Sequence, residues 1–81
     1  MNRKIKQKLK ELKADSWTEI LIGTDQGADD LKLWGKWAAT CELLDGSVPE
    51  DLLFGLNAVY PQPCDYKSGF AEICKLFKGL I

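Results

Sequence analysis

Apolar residues recur at helical spacing in five segments of the chain. The first segment, residues 2–13, has apolar side chains at positions i, i+4 and i+7, and lysine at many of the others. Because a period of 3.6 residues places such positions on one face, the pattern predicts a basic helix with a narrow apolar stripe. The stripe consists of Ile5, Leu9 and Leu12.

A short second helix is predicted over residues 17–22. Ser16 and Glu19 have the spacing of a capping box, in which the hydroxyl accepts from one backbone N–H and the carboxylate from the other. Gly23 would end this helix in the left-handed conformation. The apolar run at 20–22 also fits a strand, so both interpretations stay open here.

The third predicted helix, from about 28 to 44, has the broadest apolar face in the chain. Asp29 and Asp30 would lie in its first turn, where the helix dipole favours acidic side chains. The apolar face would bury much of the core. Its members are Leu31, Trp34, Trp37, Ala38, Cys41 and Leu44.

Two more helices are predicted over residues 49–60 and 66–78. Ser47 and Glu50 have the spacing of a second capping box in front of the first of them. A chain of 81 residues forms one core. We therefore expect an all-α fold, a small bundle of four to five short helices, in a single domain spanning 1–81.

Charge is distributed unevenly along the chain. Residues 1–13 contain six basic side chains and one acid, whereas the remainder contains five lysines and eleven acids. The chain is thus a basic arm on an acidic body, which raises the possibility of nucleic-acid binding through the arm. The candidate phosphate contacts are Arg3, Lys4, Lys6, Lys8, Lys10 and Lys13.

Several kinds of chemistry have no support in the composition. The chain has no histidine, no phosphate-binding glycine motif and no CxxC pair. Its three cysteines are an odd number, which favours free thiols and a reducing cytoplasm over a disulfide framework. Asp25, Asp29 and Asp30 could approach a hard cation, but helix-start acids explain them better. We expect no catalytic residue, metal, cofactor or membrane span.

The aromatic residues are the main candidates for recognition. Trp17, Trp34 and Trp37 fall within 21 residues, and their simplest role is to fill the core. The functional alternative is that some remain exposed as binding anchors, because Trp and Tyr dominate interface hot spots. The acidic body would then complement a basic partner surface. The candidate protein-binding residues are Trp17, Trp34, Trp37, Phe54, Tyr60 and Tyr66.

One tract resembles a known family. The residues Trp34-Gly35-Lys36-Trp37 are similar to the W-G-[RK]-W segment of one group of lambdoid phage late antitermination proteins, the Q type. Tyr60-Pro61 is similar to a Tyr-Pro that follows it there, although the distance between the tracts is longer in this chain. The helix-turn-helix that those proteins carry downstream is not found. The resemblance implies phage origin and a partner such as RNA polymerase.

Three functional hypotheses follow, in decreasing order. The first is a non-catalytic protein-binding module, a phage-type inhibitor or modulator of a larger host protein or complex. The alternative is a nucleic-acid-associated transcription regulator that uses the basic helix, and the third is a homo-oligomeric structural module. We rank the protein partner first because the body is acidic and the arm has an apolar stripe for docking. No aromatic residue interrupts the lysines, as single-strand binding would require.

Overall fold

The computed structural model describes residues 2–27 and 30–81, and it contains four α-helices. Helix α1 spans Arg3–Asp25, α2 spans Leu31–Leu44, α3 spans Pro49–Val59 and α4 spans Asp65–Phe77. The described residues are helical over most of their length and include no strand. The all-α prediction is confirmed, and the strand interpretation of residues 20–22 is wrong because they lie within α1.

Helix α1 is continuous where two helices were predicted. It is capped at its start by Asn2, whose Oδ1 accepts from the backbone N–H of Lys4 at 2.7 Å. Ser16 is buried inside the helix and does not cap a second one, and Gly23 is also helical. The chain leaves the helix at Gly27, where φ is 77°.

The reason for this continuity is that the buried stripe of α1 runs past residue 13. Leu9, Ser16 and Ile20 are all buried, at intervals of seven and four residues. A serine at this point is small enough for the neighbouring helix to approach closely. The stripe therefore needs no apolar residue at position 16, and the capping-box interpretation was wrong for that reason.

The other helix starts also differ from their predicted capping. Asp30 is the N-cap of α2, and its carboxylate accepts from the backbone N–H groups of Lys32 and Leu33 at 3.0 and 3.2 Å. It precedes the first turn, where it had been predicted to lie, and Asp29 falls outside the described residues. Helix α3 starts with Pro49 after Val48, with no side-chain cap, so the second capping box is also wrong.

Helix α2 lies at the centre of the fold. It packs against α4 and α1, while α3 packs on α4. The buried cluster takes side chains from all four helices, which explains why each amphipathic segment is needed. Its members are Leu9, Ala39, Leu43, Leu56, Phe70, Ile73, Cys74 and Phe77.

Two glycines bring the backbones of α2 and α4 into contact. A Cβ atom on Gly35 would overlap the carbonyl oxygen of Tyr66 and lie 2.9 Å from the nitrogen of Phe70. A Cβ atom on Gly69 would overlap the carbonyl oxygen of Lys32. Each helix thus supplies a notch for the other, and neither position has room for a larger residue.

The three cysteines are free thiols with very different exposure. Cys64 is exposed, Cys41 is half-buried and Cys74 is buried. Burial raises the pKa of Cys74 to about 11. Burial is also the main cause that raises the pKa of Cys41, although the nearby Lys13 ammonium acts in the opposite direction.

Thiol reactivity should follow this order. Because the thiolate is the nucleophile, iodoacetamide at mildly alkaline pH is expected to modify Cys64 first and Cys41 slowly. Cys74 should react only after denaturant is added. Peptide mass spectrometry of samples taken over time measures all three rates, and modification of Cys74 at the rate of Cys64 would contradict the packing described above.

Within the part of the chain that the structure describes, no helix combines the length and the hydropathy that a membrane span requires.

Candidate functional site

The three tryptophans form one cluster where α1 meets α2. The ring centroids of Trp17 and Trp34 are 5.9 Å apart, those of Trp17 and Trp37 are 5.3 Å apart, and those of Trp34 and Trp37 are 6.0 Å apart. Two of the pairs are edge-to-face, with interplanar angles of 86° and 85°. These separations are those of favourable aromatic pairs.

The cluster is partly core and partly surface. Trp34 and Trp37 are half-buried on α2, while Trp17 on α1 is 40% exposed. Trp17 reaches the other two because α1 continues past Ser16, so the predicted break would have separated them. The sequence left open whether these rings fill the core or serve as anchors, and the cluster combines both.

A groove with a volume of about 490 Å³ runs along α1 beside this cluster. We call it the Lys–Trp groove. Three lysines of α1 line one side, and apolar and aromatic side chains of both helices line the rest. Its lining residues are Lys6, Lys10, Lys13, Ala14, Trp17, Trp37 and Leu44.

The lysines and Trp17 form a single row on α1. Lys6, Lys10, Lys13 and Trp17 are spaced by four, three and four residues, so they fall within about 60° of the helix circumference. The row is roughly 16 Å long at 1.5 Å per residue. The expectation that no aromatic residue accompanies the lysines is therefore wrong, and the cause is again the continuity of α1.

The ammonium groups of this row are available to a ligand. Among residues 2–27 and 30–81, the ion pairs join Glu72 to Lys32 at 3.5 Å and to Lys36 at 3.6 Å. No described carboxylate lies within ion-pair distance of Lys6, Lys10 or Lys13. The row is thus a set of cations without a described acidic neighbour, next to two indole rings.

The other basic residues of the arm do not contribute to the groove. Lys4 and Lys8 lie about half a turn away from the row, on the side of α1 that also carries Glu11. Arg3 lines the same shallow depression as these residues. The structure thus divides the six predicted basic residues into two sets of three.

The remaining aromatic candidates lie on a second surface, formed by α3 and α4. The ring centroids of Tyr60 and Tyr66 are 5.6 Å apart, and those of Tyr66 and Phe70 are 6.1 Å apart. Burial, followed by Tyr60 and Glu42, raises the pKa of Tyr66. Phe54 lies on α3 with 79% of its surface exposed.

This second surface differs from the groove in its charge. Tyr60 and Tyr66 line a depression of about 320 Å³ together with Glu42 and Asp51. The six aromatic candidates therefore do not form one site. The tryptophans belong to a cationic surface, and the other three belong to an acidic and apolar one.

Sequence reasoning missed the groove as a unit, although it identified most of its parts. Ala14 and Leu44 were not candidates, and the lysines and tryptophans were assigned to competing functions. The available signal was the spacing of residues 6, 10, 13 and 17, which becomes visible once one helix is read through Ser16.

The described residues show no group of three Cys, Asp or Glu side chains close enough together to hold a metal ion. No family model, curated protein or solved structure matches this chain. The local resemblance at Trp34-Gly35-Lys36-Trp37 therefore stays a prediction. In this fold, the tract places two rings in the tryptophan cluster and a glycine against α4.

Proposed function

We propose that this protein is a non-catalytic binding module that modulates a larger host protein or complex by holding an acidic segment of it in the Lys–Trp groove. The observation that carries the proposal is the row of Lys6, Lys10, Lys13 and Trp17, which has no described acidic partner and faces Trp37. Such a surface attracts a ligand that is negatively charged and also has an apolar side chain to bury.

The two kinds of side chain would contribute differently. Exposed lysine–carboxylate pairs are worth about 0.2–1 kcal/mol each, so the lysines mainly select the partner and speed its arrival. A ring buried at the centre of an interface contributes about 2 kcal/mol or more. Trp17 and Trp37 would therefore supply most of the affinity, through contact with an aromatic or aliphatic residue of the segment.

The charge of the proposed partner is the reverse of the one expected from the sequence. A tryptophan surface flanked by the acidic body would have suited a basic partner. Because Trp17 and Trp37 lie beside lysines, an acidic segment fits better. The hypothesis of a protein partner is kept, and its expected chemistry is changed.

A second candidate is single-stranded nucleic acid. The observation that favours it is that Trp17 continues the lysine row, as a base-stacking platform next to phosphate contacts would. It ranks second because the row is only about 16 Å long and a strand leaving it would meet a body with an excess of acidic residues. Three lysines would release only about three counterions.

Two titrations of tryptophan fluorescence separate these candidates. One uses a short synthetic peptide of Asp, Glu, Leu and Phe, and the other uses an oligothymidylate of the same net charge. We expect the peptide to saturate the change in emission at a lower concentration than the oligothymidylate. Tighter binding of the oligothymidylate, with a steep loss on adding salt, would make nucleic acid the better function.

Truncation of Trp17 should weaken peptide binding by roughly 30-fold, which corresponds to about 2 kcal/mol. The variant Trp17→Ala is compared with Tyr60→Ala, because both aromatic residues are 40% exposed in the unaltered protein. The change at Tyr60 should leave the affinity within about twofold. The account fails if Tyr60→Ala weakens peptide binding more than Trp17→Ala does, with both variants shown by circular dichroism to be folded.

A further inference from the structure

The outer face of α3 is acidic and unusually apolar for a surface. Glu50, Asp51, Phe54 and Ala58 are exposed at positions i, i+1, i+4 and i+8, so they share one side of the helix. Phe54 is 79% exposed. No basic residue occurs in α3, from Pro49 to Val59. We call this side of the helix the Phe54 face.

The Phe54 face has the chemistry that the Lys–Trp groove attracts. It combines two carboxylates with one large aromatic side chain, whereas the groove combines three ammonium groups with two indoles. The spacing also corresponds, because Glu50 precedes Phe54 by one helical turn and Lys13 precedes Trp17 by one turn. Both separations are roughly 6 Å along their helix axes.

The two surfaces are on different elements and cannot be the same patch. The groove lies between α1 and α2, while α3 packs on α4. The molecule is also flat, with extents of 36 × 31 × 16 Å, and exposes 5355 Å². A compact monomer of this mass would expose about 4,900 Å², so the fold has surface to spare for a partner.

We propose that the Phe54 face of one copy docks into the Lys–Trp groove of a second copy of this chain, with Phe54 against Trp17 and Trp37. The contact is head-to-tail, so each copy keeps one free surface and the assembly either closes into a ring or grows as a chain. The inference rests on the proposed function only in using the same groove. An acidic segment of another protein would compete with self-association.

Sedimentation velocity across a wide range of concentrations tests the proposal with two single-surface variants. Phe54→Ser removes the ring of the Phe54 face, and its exposure means that the fold should be unaffected. Lys6→Glu with Lys10→Glu reverses the charge of the groove. We expect the unaltered protein to associate at high concentration, and each variant alone to raise the dissociation constant at least roughly 30-fold.

The decisive step is to mix the two variants. The Phe54→Ser protein still has an intact groove, and the lysine variant still has an intact Phe54 face. A head-to-tail contact therefore predicts a 1:1 pair in the mixture that neither variant forms alone, and one that does not extend further. Association that survives in either variant alone, or a mixture that stays monomeric, would overturn the proposal.

The failure of this inference can be told apart from failure of the proposed function. If the unaltered protein stays monomeric at every concentration but still binds the acidic peptide, the self-association proposal is wrong and the groove remains a binding site. If the peptide does not bind but the mixed variants pair, the self-association is right and the proposed function is wrong.

Discussion

Alanine at either glycine of the α2–α4 contact is expected to destabilise the fold strongly. A Cβ atom at Gly35 or Gly69 would overlap a backbone carbonyl oxygen of the opposite helix, and no flexible side chain can move out of its way. The helices must separate, and overpacking of this kind costs about 1–3 kcal/mol or more. The gain in helix propensity from Gly to Ala returns about 1 kcal/mol at most.

We therefore expect each single variant to lose at least about 2 kcal/mol of unfolding free energy, which lowers Tm by roughly 8–16 °C for a domain of this size. The double variant should fail to fold, because small domains have only about 5–15 kcal/mol in total. Urea unfolding monitored by circular dichroism measures the loss.

The chain offers a matched control for this prediction. Gly55 is also helical, and a Cβ atom there would meet nothing within 4 Å. Gly55→Ala should thus stabilise the protein by about 0.5–1 kcal/mol through helix propensity alone. Equal effects of alanine at Gly35, Gly69 and Gly55 would show that α2 and α4 do not cross at the two glycines.

Charge reversal in the lysine row should abolish most of the binding of the acidic peptide. Lys6 and Lys10 line the groove on one side of α1. Changing both to Glu replaces attraction with repulsion of the peptide carboxylates, and like charges facing each other across an interface cost several kcal/mol. We expect the affinity to fall by roughly 30- to 100-fold.

Helix α1 itself supplies the control, because Lys4 and Lys8 have the same spacing on the opposite side. Both are exposed, and changing them to Glu alters the net charge by the same amount. We expect this variant to lose less than about threefold in affinity, since only long-range attraction changes and salt screens it. If the two double variants weaken peptide binding equally, the lysines act through net charge and the groove is not the site.

The sequence predicted helices α3 and α4 almost to the residue and mispredicted α1. Both well-predicted helices have their apolar residues in one dense stripe, and turn residues stand at their ends. In α1, the stripe includes Ser16, which is polar by type but buried by position. Local rules favour serine as a cap, whereas packing against α2 determined what happened here.

The site could be predicted in its components but not in its assembly. The lysines and the tryptophans were both recognised as candidates, yet they were assigned to rival functions on separate helices. Their union depends on the rotation of α1 between Lys13 and Trp17, which no local pattern fixes once a break is assumed. The close approach at Gly35 was also invisible, because it depends on Tyr66, far away in the sequence.

The most direct test of the Lys–Trp groove is a nuclear magnetic resonance titration of the ¹⁵N-labelled protein with the acidic peptide. The three indole N–H signals report on three positions, of which Trp17 and Trp37 line the groove and Trp34 does not. We predict that the signals of Trp17 and Trp37 move most, together with the backbone signals of Lys6, Lys10 and Lys13. Changes concentrated at Tyr60, Tyr66 and α3 instead, or no saturable change at all, would contradict the account.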